Sequence, residues 1–273
     1  MLEEFQYSHA YHDGIHTMLA VVSPAKKMNF DHLDRALSAS DPEFLHDTKK
    51  LITAARKLSR SDLQNLMKLS DDLTDLNFQR FKTFKPTPGA NDAKQAAFAF
   101  AGDTYVGLEA STLDDQDLDY AQDHLRILSG LYGLLRPLDQ IQPYRLEMGR
   151  RLNTASGADL YDFWGTKLGN RMDEVVAGHK SSTIINLASI EYFKATQSKT
   201  MKSRVITPTF KEIKDGEAKV IGFFAKKARG SMARYMIQNR IEKPEDLKSF
   251  DTDGYIYRDD LSNGDAWTFT RGS

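Results

Sequence analysis

Leu128-Ser-Gly-Leu-Tyr-Gly-Leu-Leu-Arg-Pro-Leu-Asp-Gln-Ile-Gln-Pro-Tyr-Arg-Leu-Glu-Met-Gly149 is the most heavily punctuated stretch of this 273-residue chain. Gly130 and Gly133 permit positive φ and close backbone approach. Pro137 and Pro143 set the chain direction and forbid a long regular element. Leu131, Leu134, Leu135 and Ile141 are apolar enough to hold the segment to a core. It reads as an ordered turn entered from a helix capped near Thr112 and Asp115, with Leu118, Ala121, Leu125 and Leu128 on one face. Amides freed at such a turn bind anions, and Arg136 and Arg145 suit phosphate. The run Leu128–Gly133 also compares with the turn of helix–hairpin–helix elements, whose amides grip DNA phosphates without reading bases. Its Gly-x-x-Gly spacing and Pro137 depart from that pattern.

Outward from this segment, helical and strand periods alternate. Residues 41–84 read as helix, with Leu45, Leu51, Ile52, Ala55 and Leu58 at helical spacing and Ser61 with Gln64 as a capping box. Phe78, Phe81 and Phe84 form an aromatic stripe suited to a core. A helix is expected over 91–100 and another from Tyr161 to Val176. Strands are expected at Leu19–Val22, Thr183–Ser189, Arg204–Phe210 and Lys219–Ala225, the last two flanking the hairpin signal Asp215-Gly216. Lys226–Ile241 reads as a further helix. The fold class is α/β of the mixed α+β kind: one compact domain over 18–273, with a mixed sheet surrounded by helices. Residues 1–17 read as an appendage. Its His9, His12 and His16 are spaced for metal, although a short terminal His cluster more often lacks order.

Three of the expected strands run into polar or basic segments. Leu19–Val22 leads to Ser23-Pro-Ala-Lys26-Lys27, the strand at 183–188 to Ser189-Ile-Glu191-Tyr192, and Lys219–Ala225 to Lys226-Lys227-Ala-Arg229-Gly230. Ligands of open α/β sheets gather at the carboxyl ends of parallel strands. Parallel pairing would bring Ser23, Lys26, Asn186, Glu191 and Lys226 or Arg229 to one cleft. Lys226–Arg229, expected in the first turn of a helix, would present cations and free amides to an anion. Exposure at little cost explains the same residues structurally. Arg145 and Glu147, two apart, suit an ion pair before acid–base chemistry. Glu191 could act as a general base, but a lone carboxylate indicates little. No glycine-rich lysine loop, nucleophile elbow or paired-His zinc motif occurs.

Composition excludes several chemistries. The chain has no cysteine, so disulfides, thiolate metal sites and cysteine nucleophiles are ruled out. No apolar run approaches the roughly 20 residues of a membrane helix, and no secretory signal is visible. The net charge of −1 conceals asymmetry. Residues 101–123 hold seven acids and no Lys or Arg, whereas 194–240 hold twelve basic residues against three acids. Basic residues gathered on one surface would attract a polyanion.

Taken in order, Ser23-Pro-Ala-Lys26, Gly107-Leu-Glu-Ala110, Leu128–Asp139, Pro143–Gly149, Leu160-Tyr-Asp-Phe-Trp164, Asn186–Ser189 with Glu191-Tyr192, and Phe224–Gly230 resemble the bacterial peroxide stress protein YaaA family. The resemblance covers Met18 to near the C-terminus. It implies a cytoplasmic protein of the hydrogen peroxide response, linked to limiting free intracellular iron and so oxidative damage to DNA. It further implies a mixed α/β fold with a basic cleft, a helix–hairpin–helix-like element and non-sequence-specific binding of double-stranded DNA. Phosphate contacts would come from Ser23, Lys26, Lys27, Arg136, Arg145, Lys226, Lys227, Arg229 and Arg234, with Gly130 and Gly133 shaping the hairpin. No cofactor and no metal site are expected, and whether the chain is an enzyme stays open. An alternative is an enzyme acting on a phosphorylated small molecule or damaged nucleotide, using Lys26, Glu191, Lys226 and Arg229. A weaker one is an iron-binding protein.

Overall fold

A computed structural model describes residues 18–89, 92–179 and 181–272. The appendage, with its histidines, lies outside them. In chain order the elements begin with β1 (Leu19–Val22), α1 (Leu45–Ala55), α2 (Arg60–Met67), α3 (Asp71–Thr83), β2 (Lys94–Gln95), α4 (Ala96–Ala99), α5 (Asp103–Leu108) and α6 (Asp115–His124). They continue with β3 (Leu125–Ser129), β4 (Gly133–Leu135), β5 (Gln140–Ile141), α7 (Leu160–Trp164), α8 (Lys167–Ala177), β6 (Thr183–Leu187) and α9 (Ile190–Phe193). The last are β7 (Arg204–Lys214), β8 (Glu217–Lys219), α10 (Gly222–Gln238), β9 (Ile256–Tyr257) and β10 (Ala266–Arg271).

An eight-stranded mixed sheet in the order β4-β3-β1-β6-β7-β10-β9, with β8 paired to β7, forms the frame. β3, β1, β6, β7 and β10 are parallel, and β4, β8 and β9 are antiparallel additions. β1 and β6 are buried along their whole length, as central parallel strands covered on both faces must be. The run Leu-Ala-Val-Val is apolar for that reason, and Thr-Ile-Ile-Asn-Leu mostly so, with Asn186 hydrogen-bonded to the Ala188 amide and Thr207. The mixed α/β class and the mixed sheet expected from sequence are what the structure contains, and β2 and β5 form a separate two-stranded antiparallel sheet.

Several elements differ from expectation. The helix of residues 41–84 is three helices. The capping box that opens α2 is Ser59 with Asp62, not Ser61 with Gln64. The helix expected over 91–100 is, among the described residues, the two-residue β2 and the single turn α4. Tyr161–Val176 breaks into α7 and α8 at Gly165, where φ is +51°.

The larger correction concerns the quoted segment. Leu125 and Leu128 are not on α6. They lie in β3, which turns at Gly130–Tyr132 and returns as β4, with Ser129 opposite Gly133. This is a buried β-hairpin, not the helix-entered turn expected there. Gly133 has φ +76°, and a Cβ on it would fall 2.7 Å from the Trp164 ring. The Trp164 indole N–H donates to the Gly130 carbonyl at 3.1 Å. No helix–hairpin–helix turn is formed by Leu128–Gly133. One compact pair of helices joined by a tight turn is α2–α3, where Lys68 takes φ 54°. Asp71 and Asp72 occupy the first turn of α3, a placement that disfavours phosphate there.

The expected strand Lys219–Ala225 ends at Lys219, and Phe223, Phe224 and Ala225 belong to α10. Continued in register, that strand would bring Ala225 opposite Ile206, which already pairs with Ile185 of β6. The chain therefore leaves the sheet and returns across it as α10. That helix buries Ala225, Ala228, Met232, Ala233, Met236 and Ile237. Lys226 and Arg229 consequently sit in its second and third turns, not at free N-terminal amides.

Candidate anion-binding cleft

β1 and β6 are adjacent and parallel, and connections leave them in opposite directions across the sheet. A crevice forms at such a switch point, beyond the strand carboxyl ends. Ser23 follows β1 and Ser189 lies just beyond β6. The Ser189 amide donates to Ser23 Oγ at 2.8 Å, and Ser23 Oγ donates to Ser189 Oγ at 3.3 Å. Tyr105 of α5 donates its hydroxyl to the Ser23 carbonyl at 3.0 Å, tying α5 to the floor. Asn186 stays in the strand. Its Oδ1 accepts from the Ala188 amide and its Nδ2 donates to Thr207.

α10 forms one wall of the cleft against α5. The two backbones approach closely because both contacts are glycines: a Cβ on Gly230 would overlap the Thr104 carbonyl, and one on Gly107 the Lys227 carbonyl. The cavity so framed has a volume of about 560 Å³. Ser23, Lys26, Asp103, Glu147, Lys226 and Arg229 line it, together with Lys27, Glu191 and the apolar wall of Pro24, Ala25 and Tyr192.

Its charges are unevenly paired. Glu147 is 4% exposed. It receives Lys26 at 3.5 Å, Arg145 at 3.1 Å and Arg150 at 3.3 Å. Burial pushes the Glu147 carboxyl up. The Arg150 hydrogen bonds and the charges of Arg145 and Arg150 outweigh this and hold it below its ordinary value. One carboxylate thus answers three cations. Lys226 meets Asp103 loosely, at 3.8 Å. Arg229 has no carboxylate partner among the described residues, and its buried Nε has no hydrogen-bond acceptor. Burial lowers the guanidinium pKa from its usual value. An arginine remains charged at neutral pH even so.

The expected site residues therefore divide. Ser23, Lys26, Lys27, Glu191, Lys226 and Arg229 come together. Lys227 pairs with Asp253 at 3.0 Å, and with Arg234 it lines a separate cavity of about 350 Å³. Arg234 donates to the carbonyls of Leu108 and Glu109 at the end of α5. Arg136 is held by Asp139 and by the Asp41 carbonyl. Arg145 forms the expected ion pair with Glu147, from an irregular segment and not a strand. Gly130 and Gly133 are buried in the β3–β4 hairpin. Sequence reasoning missed Asp103 and Arg150 altogether. Their only signal is proximity to Gly107 and to the quoted segment.

The sequence profile of the peroxide stress protein YaaA family matches residues 18–261. The chain belongs to this family. A UPF0246 protein of Ruegeria pomeroyi is 51% identical over 254 residues, covering 93% of this chain and 98% of its own length. One from Magnetococcus marinus is 53% identical over 255 residues, covering 93% and 99%. A third, from Caulobacter vibrioides, is 51% identical over 254 residues. No helix among the described residues is long and apolar enough to cross a membrane. Nor do those residues hold a group of three or more His, Asp or Glu side chains suited to a metal ion.

Proposed function

We propose that this YaaA-family chain binds double-stranded DNA through its phosphates, without reading sequence, as a cytoplasmic protein of the peroxide response. The observation that carries this reading is Arg229. A mostly buried guanidinium without a carboxylate costs stability unless an anion completes it. It lines the same cleft as Lys26 and Lys226, where cations outnumber carboxylates. Phosphate oxygens in the cleft mouth would satisfy all three. The link with free iron then runs through the DNA that iron-driven oxidation damages.

The test is salt dependence. Duplex affinity should fall log-linearly with salt, about one unit of slope for each phosphate contacted. Lys226→Ala/Arg229→Ala should lower that slope by about two units and weaken binding at all sequences alike. A flat salt response of the wild-type chain sinks the proposal.

A second reading is an enzyme for a phosphorylated small molecule or damaged nucleotide, with Lys26, Glu191, Lys226 and Arg229 as its working residues. The concavity favours it: about 560 Å³ lies within the usual range of small-ligand pockets. Turnover of a phosphorylated compound that is abolished in Glu191→Gln would establish this reading.

A further inference from the structure

The lining of the cleft is of mixed sign, and that is hard to reconcile with a plain phosphate track. Asp103, Glu147 and Glu191 stand on the same walls as the cations. Glu147 is neutralised by the three cations around it. Glu191 is not. Its Oε1 accepts the Gly149 amide at 3.0 Å, and no cation pairs with it among the described residues. A ligand that satisfies this cleft needs an anion, for Arg229, Lys26 and Lys226. It also needs N–H or O–H donors, for Glu191. The same cleft offers it the apolar wall of Pro24, Ala25 and Tyr192. A carboxylate that accepts from a base amino group is a standard element of base recognition. A flat ring against a tyrosine and a proline is likewise how unstacked bases are held.

We propose that the cleft is a nucleotide site that holds one nucleotide unit. Its phosphate lies on Arg229, its base lies against the Tyr192 wall, and Glu191 accepts from the base or sugar. The proposal rests on the phosphate-binding reading above for its cations and adds the base. One further feature bears on the source of the nucleotide. Ile190, between the cleft residues Ser189 and Glu191, is 90% exposed. Phe223, one helical turn before Lys226, is 56% exposed. Exposed apolar side chains beside phosphate-binding residues are the groups that wedge into a base step, and a base drawn out of the stack is taken into a pocket. The nucleotide is therefore either free or drawn out of a duplex by Ile190.

Two titrations of the full chain decide the matter. In the first, the four 2′-deoxynucleoside 5′-monophosphates, 2-deoxyribose 5-phosphate and inorganic phosphate are compared by calorimetry. At least one mononucleotide should bind tenfold or more tighter than the sugar phosphate. Arg229→Met should weaken it at least tenfold without lowering the melting temperature, because the wild-type Nε is already without an acceptor. Lys226→Ala, at an exposed position, should weaken it several-fold and serves if Arg229→Met does not fold. In the second titration, a duplex with a single 2-aminopurine is followed by fluorescence for extrusion and by anisotropy for affinity. A several-fold rise in fluorescence that Ile190→Ala abolishes, with affinity changed less than threefold, identifies the duplex as source. Mononucleotide binding without that rise supports the site and makes a free nucleotide its ligand. Mononucleotide binding without duplex binding supports it too, and removes the DNA reading. If no mononucleotide outbinds the sugar phosphate and the fluorescence stays flat while duplex affinity is intact, the inference is overturned and the DNA reading stands.

Discussion

Glu147 brings its carboxylate to a point shared by Lys26, Arg145 and Arg150. Burial pushes its carboxyl up, but Arg150 and Arg145 hold it below its ordinary value, and that direction fixes its contribution to stability at different pH. Above the ordinary glutamate value of about 4.3, the group is ionised in the folded and unfolded chain alike, and its pairing counts in full. As pH falls below that value the unfolded chain takes up the proton first. The stabilisation is then lost as pH descends through the lower folded value. Glu147→Gln should therefore melt well below wild type at pH 7, by an amount equivalent to about 3 kcal/mol for cations left without their partner. The gap should stay constant down to about pH 5 and close below about pH 4. Melting curves across that range check it, and a gap independent of pH would show that Glu147 acts through packing alone. Arg229 is the converse case. Its charge has no carboxylate partner among the described residues, so stability and ligand binding should respond to its substitution in opposite directions.

The cleft depends on how near α10 can come to α5. Gly107 and Gly230 are the points of contact, and a methyl group at Gly230 meets backbone, which cannot rotate out of the way. Gly230→Ala should cost at least the ~3 kcal/mol at the upper end of ordinary overpacking. It should also displace Lys226 and Arg229 from Asp103 and Thr104, so that ligand affinity falls even under conditions where the variant is folded. Denaturant unfolding together with a binding titration tests both parts. Unchanged affinity in the folded variant would mean that the helix separation does not set the site. Little of this element was legible in the chain. Lys219-Val-Ile-Gly-Phe-Phe-Ala225 has the apolar run of a strand, and only the occupied edge of β7 turns it into the start of a helix. The spacing of Ala225, Ala228, Met232 and Met236 is helical and does extend back to Ala225, so that signal was present. By contrast, β1 was legible in full and β6 to within two residues of its end at Leu187, because strands buried on both faces are mostly apolar. The β3–β4 hairpin was hidden because Leu118, Ala121, Leu125 and Leu128 fit a helical face. Nothing local shows that Leu125 begins a strand beside β1.

At the scale of the whole molecule, the basic excess of residues 194–240 does not gather on one surface. Arg204 pairs with Glu245 and Asp265, Lys219 with Glu217, Lys227 with Asp253 and Arg240 with Asp117. Only Lys226 and Arg229 of that region line the cleft. They are joined there by Lys26 and Lys27 from beyond β1, while Arg145 and Arg150 pair with Glu147. A linear count of charge could identify the excess but not its division, since pairing partners lie up to 126 residues away, as for Arg234 and the Leu108 carbonyl. This division separates two ways in which a nearly neutral chain can attract DNA. If attraction came from total basic charge, removing any two cations would lower the salt slope equally. If the cleft is the site, position decides. Lys211→Ala/Lys214→Ala, on the β7 hairpin arm, should leave duplex affinity within about twofold and the salt slope unchanged. Lys226→Ala/Arg229→Ala should remove about two units of slope, although both pairs change the net charge by the same amount. Anisotropy titrations of the two variants at several salt concentrations make the comparison. Equal losses in both would show that DNA is drawn by diffuse charge, and that the unpaired guanidinium of Arg229 answers to a different anion.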